Sequence, residues 1–225
     1  MQSASRPKQF LELNGKPIII YTLEVFEQHP DIDAIVVSCI KEWKPYLHKL
    51  VKKFEINKVV DIVPGGKNGQ ESIYNGLVQA ERMSNSSDSI VLIHDGVRPL
   101  INAQTITDNI DTVKSHGACI TVSPAFESII IEHENGDIET PNRKCCFLAR
   151  APQSFYLSDI IDAHRKAQSE EKTDFADSSS LMRYYGYNLK SVIGPIENIK
   201  ITTPSDFFVL RAMVEVKENK QIFGI

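Results

Sequence analysis

Ser89-Ile-Val-Leu-Ile-His-Asp-Gly-Val-Arg-Pro-Leu100 is the stretch on which the reading of the fold turns. Ile90 to Ile93 is an unbroken apolar run, the pattern of a strand buried on both faces of a parallel sheet. The run stops at His94, Asp95, Gly96 and Arg98, and Pro99 closes the exit. Ligands of open α/β sheets sit beyond the carboxyl ends of strands, so an acid, a glycine and a cation gathered there mark a candidate site. The competing reading of the same residues is a plain strand-to-loop turn in which Asp95 and Arg98 pair with each other.

The flanking sequence alternates strand and helix patterns. Upstream, Lys16-Pro17-Ile18 starts a helix with Pro17 in its first turn, and Ile19, Leu23 and Phe26 recur at helical spacing. Strands are predicted over Ala34 to Ile40 and Lys58 to Val63, the second ending at Pro64-Gly65-Gly66. Between them Trp43, Leu47, Leu50, Val51 and Phe54 mark a helix with Pro45 near its start. Another helix runs from Gln70 through Ile73, Leu77 and Ala80 to a polar loop, Ser84 to Asp88. Downstream, Ile106, Ile110 and Val113 form a helix face, and Ala118 to Val122 a further strand. Such alternation means βαβ units and a doubly wound, mostly parallel sheet of Rossmann-like α/β type.

The alternation breaks after Pro124. Between Ser128 and Glu139, Asn135-Gly136 separates two extended runs and signals a β-hairpin. A lone hairpin has little core of its own, so this insertion is expected to lean on a second subunit as a dimerisation arm over about residues 126–150. The unit as a whole, 1–225, reads as one domain. After the arm come a helix capped by Ser158, a short helix from Asp177 ended by Gly186, a strand over Leu189 to Ile193, and a final helix with Thr203 as cap and Pro204 in its first turn.

Composition narrows the class. A net charge of −4 over 225 residues gives no bulk charge for nucleic acid. No apolar run approaches the roughly 20 residues that cross a bilayer, and Met1 to Gln9 lacks the apolar segment of a secretory signal. Cys39, Cys119, Cys145 and Cys146 show no CxxC spacing, which fits a reduced, cytoplasmic protein. No GxGxxG occurs, which argues against a dinucleotide-binding oxidoreductase.

Several glycine- or acid-rich turns fall at strand ends, at Gly65-Gly66, at His94 to Arg98 and after Val122, and their convergence on one sheet edge favours a nucleotide or phosphate site. Lysines can neutralise charge developing in phosphoryl or nucleotidyl transfer. Lys8, beside Pro7, has the setting of an ordinary solvated lysine. Lys200, apolar-flanked in Glu197-Asn-Ile-Lys-Ile-Thr-Thr-Pro204, is harder to explain as surface.

Read together, Pro7-Lys8-Gln9-Phe10, Gly15-Lys16-Pro17, Gly65-Gly66, Ser72-Ile73-Tyr74-Asn75-Gly76-Leu77, His94 to Pro99, Pro152-Gln153-Ser154-Phe155 and Asn198 to Pro204 occur in that order. The chain resembles, over nearly its whole length, the cytidylyltransferases of the methylerythritol phosphate and ribitol 5-phosphate type. The resemblance implies attack of a polyol phosphate oxygen on the α-phosphorus of CTP with release of pyrophosphate, Mg²⁺ as cofactor, and a homodimer. It implies Lys8 and Lys200 as catalytic residues, and Gly65, Gly66, Ser72, Asp95 and Gly96 around the nucleotide. Asp95, Ser128 and Arg143 would serve the polyol phosphate, Arg143 reaching the other subunit's site from the arm, with Asp95 also near the metal. Asp177, Ser180 and Leu181 resemble the family's turn before a helix.

The departures are specific. Family members begin with a strand and a glycine-rich, arginine-containing loop that cradles the CTP phosphates, and Met1 falls where that loop would be ending. The expectation is that strand and loop precede Met1 in the complete protein; their true absence would favour a non-catalytic nucleotide-binding or assembly protein. Gly69 replaces a usual arginine, and Ala151 and Ala176 replace usual threonines. Pro141-Asn-Arg143 and these replacements tilt the expected substrate towards ribitol 5-phosphate over 2-C-methyl-D-erythritol 4-phosphate.

Overall fold

A computed structural model describes residues 6–223 apart from 85 and 87. The unpatterned opening, Met1 to Ser5, and two positions of the loop that starts at Ser84 lie outside the described residues. The first ordered feature is a tight hairpin: Glu12–Leu13 (β1) pairs antiparallel with Lys16–Pro17 (β2). Its turn residues Asn14 and Gly15 both have positive φ, 51° and 75°, which is what a two-residue Asn-Gly turn requires. Pro17 therefore caps the following helix, Ile18–Glu27 (α1), from an extended conformation and does not lie within it.

The alternation then proceeds much as its apolar spacing dictates, through Ile35–Cys39 (β3), Lys44–Lys53 (α2), Val59–Pro64 (β4), Gly69–Met83 (α3), Ile90–Ile93 (β5), Ala103–His116 (α4) and Ala118–Pro124 (β6). The inserted hairpin is Ile131–Glu132 (β7) with Ile138–Glu139 (β8). Its loop is longer than a two-residue turn: His133 N donates to the Asp137 carbonyl, and Gly136 takes the positive φ of 85°. There follow Phe147–Tyr156 (β9), Leu157–Ser169 (α5), Ser178–Tyr184 (α6), Lys190–Ile193 (β10) and Pro204–Phe223 (α7). Residues 147–150, expected in the arm, thus already belong to a strand.

The main sheet has the order β10-β6-β9-β5, and β3 and β4 form a separate parallel pair. β10 and β6 are parallel, while β9 is antiparallel to both of its neighbours, so β5 points the same way as β6. The mostly parallel sheet holds, with β9 as the reversed strand. Spacing missed β9 because Pro152 interrupts it. The proline is tolerated at an irregularity: pairing jumps from Ile120↔Gln153 to Val122↔Ala149, leaving Arg150, Ala151 and Pro152 opposite Thr121.

Helices cover both faces. Val91 and Ile93 point to a core built from α3, α5 and α6, with Leu77, Ile160, Ile161 and Leu181. Ile90 and Leu92 point to the opposite core, with Phe26, Ile106 and Ile110. This two-residue period is the pleat at work. Yet each residue of β5 stays partly exposed. Among the described residues β5 pairs only with β9. A second correction concerns α5, whose cap position is Tyr156 with no side-chain capping bond. Ser158 lies inside its first turn, and Leu157 N donates to the Ser89 carbonyl instead. Cys39 and Cys119 are buried as expected, and all four cysteines are free.

Two buried polar groups differ in how they are handled. Asn109, fully buried, donates to Thr105 O and Thr121 Oγ1, and its Oδ1 accepts from Ser154 Oγ at 2.9 Å, tying α4, β6 and β9 together. His164 of α5 stacks on Tyr74 with ring centroids 5.6 Å apart, and its Nε2 has no hydrogen-bond partner. Burial holds its pKa down at about 4, against an ordinary 6.5. The unfolded chain therefore binds a proton in this range that the folded chain refuses, so His164's contribution is complete above pH 6.5 and is lost as pH falls towards 4. His164→Phe should make the decline of Tm across that interval shallower in calorimetry; an unchanged slope would assign the acid sensitivity to other groups.

Candidate functional site

At the carboxyl end of β5 the chain turns through Asp95, with Arg98 N donating to the Asp95 carbonyl. Both readings of this turn contain part of the answer. Arg98 Nε pairs with Asp95 Oδ2 at 2.8 Å, and Lys200 Nζ pairs with Asp95 Oδ1 at 2.8 Å. Arg98 is nearly buried, whereas about half of the Lys200 side chain (46 %) is exposed. Burial pushes the Asp95 carboxyl upward, but the hydrogen bonds from Lys200 and Arg98 prevail and hold it below its ordinary value. The carboxylate is ionised throughout the neutral range.

Three distant segments are fastened at this point. Arg98 Nη1 donates to the Asn198 carbonyl at 2.9 Å, and Asn198 Nδ2 donates to the Ala151 carbonyl at 2.7 Å. Ile201 N donates to Val97 O at 2.9 Å, so the loop carrying Lys200 runs along the loop carrying Arg98. The irregularity in β9, the turn after β5 and the loop before α7 are thereby one structure.

They wall a cavity of about 510 Å³, lined by Asp95, Arg98, Arg150, Gln153, Asp177 and Lys200 among others. Its far side is the start of α3, where Asn68 caps the helix by accepting from Glu71 N, and where Gln70 Nε2 donates to Lys172 O. Asp177 is engaged structurally. As the N-cap of α6 it accepts from Ser180 N at 2.8 Å, and it also accepts from Gln153 Nε2 at 3.0 Å. Burial raises its pKa, but these bonds outweigh it and the net shift is downward. His94, beside Asp95, is neutral: burial lowers its pKa to about 4, and Nε2 lies 3.1 Å from Arg98 O.

A second cavity, about 350 Å³, opens on Gln9, Ser38, Gly65, Gly66 and Ser72. Ser72 Oγ accepts from Gly66 N and donates to Asn68 O. A Cβ at Gly66 would stand 2.4 Å from Glu71 Cβ, so only glycine fits this turn.

The structure therefore brings Asp95 and Lys200 together, and Gly65, Gly66 and Ser72 together. Lys8 is exposed on a 3₁₀ turn, Lys8–Phe10, and lines neither cavity, although its neighbour Gln9 lines the smaller one. Gly96 also lines neither; its carbonyl accepts from Thr22 Oγ1 at 3.2 Å. Ser128 and Arg143 lie on the arm, with Arg143 Nη1 donating to Phe126 O at 2.9 Å, outside this chain's own cavities. Arg150 and the buried fastening by Asn198 were not foreseen, whereas the helix start at Asp177 was. Arg150 sits in the unrecognised strand, and nothing in spacing shows that Asn198 is fully buried.

A metal was expected at Asp95. Among the described residues no group of three or more His, Cys, Asp or Glu side chains could hold one. The lone carboxylate fits Mg²⁺ of the kind carried largely by substrate phosphates and water.

An α/β sheet with a cavity at its strand ends that holds Arg98, Arg150 and Lys200 is suited to a phosphate-bearing ligand. The family model for 2-C-methyl-D-erythritol 4-phosphate cytidylyltransferase (IspD) matches residues 1–216, and the chain belongs to that family. A ribitol-5-phosphate cytidylyltransferase of Vibrio parahaemolyticus is 52 % identical over 225 residues, covering 100 % of this chain and 94 % of the relative. A 2-C-methyl-D-erythritol 4-phosphate cytidylyltransferase of Clostridium botulinum is 36 % identical over 214 residues, covering 95 % and 91 %. The solved 4-diphosphocytidyl-2C-methyl-D-erythritol synthase from Anaerococcus prevotii shares the fold, with a TM-score of 0.83, 24 % identity, and coverage of 92 % and 93 %. The chain is thus a cytidylyltransferase by family and fold.

Asn198→Ala removes the donor to the Ala151 carbonyl. It should lower unfolding stability by about 1–3 kcal/mol, the cost of stranding a buried acceptor. Urea unfolding measures this, and a wild-type midpoint would show that the tie is not under load.

Proposed function

We propose that this enzyme transfers the cytidylyl group of CTP to D-ribitol 5-phosphate. The choice of polyol rests on one observation: identity is 52 % with a relative named for ribitol 5-phosphate, against 36 % with one named for 2-C-methyl-D-erythritol 4-phosphate. A phosphate oxygen of the polyol phosphate bonds to the α-phosphorus of CTP as the bond from that phosphorus to the bridging oxygen breaks, and pyrophosphate leaves with the electron pair. Charge on the α-phosphate grows in the transition state, and Lys200 is placed to meet it. Its salt bridge to Asp95 orients the ammonium in the lining of the larger cavity. Lys8, exposed and outside both cavities, is assigned to the same phosphate on the family resemblance alone. The smaller cavity, floored by Gly65, Gly66 and Ser72, takes the base, and the larger takes the polyol phosphate against Asp95. Asp95 would be the protein ligand for Mg²⁺, which would supply charge neutralisation at the phosphates.

The arm completes the assembly as a homodimer contact. Phe126, Ile130 and Ile138 are 59 %, 64 % and 69 % exposed. Apolar side chains on a two-stranded hairpin have no core of their own, and a partner subunit would cover them. In that dimer Ser128 and Arg143 serve the substrate phosphate of the opposite subunit. A reduced, cytoplasmic setting is the reading that four cysteines without CxxC spacing support.

Pyrophosphate release from CTP and Mg²⁺ should be rapid with ribitol 5-phosphate and at least tenfold slower with 2-C-methyl-D-erythritol 4-phosphate; the reverse order overturns the assignment. Lys200→Ala should lower kcat by about 10²–10³-fold with the fold intact, as loss of a transition-state charge contact does. For the arm, Ile138→Glu should shift the mass seen by light scattering from dimer towards monomer. A wild-type monomer would refute the arm's role.

A further inference from the structure

Among the cations of the larger cavity, Arg150 stands apart. Arg98 has a carboxylate, Asp95, and the Asn198 carbonyl. Lys200 shares the same carboxylate. Arg150 is part-buried and, among the described residues, has no carboxylate partner. Among the described residues its side-chain hydrogen bond runs from Nε to Ser123 Oγ at 3.0 Å. Burial and the nearby positive charge of Arg98 both lower its pKa, so the guanidinium sits in an environment that disfavours its charge. Partly burying an unpaired guanidinium costs free energy, and the protein here places it against a second one.

The backbone shows how it is held there. Arg150 opens the irregularity in which Arg150, Ala151 and Pro152 face Thr121, and such bulges turn a side chain away from the regular pleat. Ser123, 1 % exposed, holds the Nε edge. Asn198 holds the next carbonyl, that of Ala151. With Nε fixed, the two terminal nitrogens form the fork that pairs with two oxygens of a phosphate.

We infer that Arg150 binds the phosphate of the polyol phosphate substrate and sets the preference for a phosphorylated polyol. This rests on the proposed reaction for the identity of the ligand. Of the three lysine and arginine side chains lining the cavity, Arg150 alone has no ion pair among the described residues, and a dianion delivered with the substrate supplies its counterpart. No covalent step passes through Arg150.

The test is calorimetric titration of ribitol 5-phosphate and of unphosphorylated ribitol into the full chain loaded with α,β-methylene CTP. Wild type, Arg150→Ala and Arg150→Lys are compared, with pyrophosphate release from CTP measured in parallel. Arg150→Ala should weaken ribitol 5-phosphate about 10–100-fold, as loss of a charge-assisted pair does. Ribitol binding and the affinity for the CTP analogue should stay within about twofold, and Arg150→Lys should recover part of the loss. Equal affinity of wild type and Arg150→Ala for ribitol 5-phosphate overturns the inference, even where wild type releases pyrophosphate normally. So does a loss confined to the CTP analogue. Should wild type bind ribitol 5-phosphate without releasing pyrophosphate while Arg150→Ala loses that binding, the proposed reaction fails and the role of Arg150 stands.

Discussion

The side chain of Asn198 is the fastening on which the site depends. It is fully buried, its Nδ2 donating to Ala151 of the β9 irregularity while the residue's backbone carbonyl accepts from Arg98, which in turn holds Asp95. None of these segments is near another in sequence, and each is a loop or a distorted strand end. Val97 and Leu100 share an apolar cluster with Ile199 and Ile201, and the buried hydrogen bonds give that packing its direction. Arg98 is accordingly more an anchor than a ligand for substrate. Its charge is spent on Asp95 and its geometry on the backbone of Asn198.

That arrangement explains the division of labour among the cations. Asp95 neutralises part of the charge of Arg98 and Lys200, and each of its oxygens has one partner. Arg98 is buried and fixed, while Lys200 is half exposed and free to exchange a carboxylate oxygen for a phosphate oxygen. Strongly desolvated ion pairs resist rearrangement, whereas exposed ones are worth little and turn over easily. A lysine suits the second role, since a compact ammonium on a flexible stem can follow a phosphate as charge moves across it. The neutrality of His94 keeps a further positive charge out of the same space.

Much of the fold could be read from apolar spacing. Leu47 and Leu50 of α2, Ile106, Ile110 and Val113 of α4, and the alternating faces of β5 all pack where their period puts them. What escaped was β9, because Pro152 breaks the pattern that reveals a strand and its distortion depends on pairing with a segment some thirty residues away in the chain. Asp95 was legible as a candidate because polar residues after an apolar run carry a positional meaning, and Lys200 because an apolar-flanked lysine just before a helix start is unusual. Their direct contact was not, since only tertiary structure brings residue 200 to residue 95. Arg150 was invisible for the same reason as its strand. The Asn-Gly pair at 135–136 was read as a hairpin, while the same pair at Asn14-Gly15, which forms a tighter one, passed unnoticed among polar neighbours.

The reversed strand β9 has a consequence for how the chain folds. It joins β5 to β6, and both partners lie far from it in the sequence. Pairings of such separation form late, because loop-closure entropy is lost before the contacts reward it. The wall of the larger cavity that carries Arg150 is therefore assembled late in folding, together with the loop of Asn198 and Lys200 that is fastened to it.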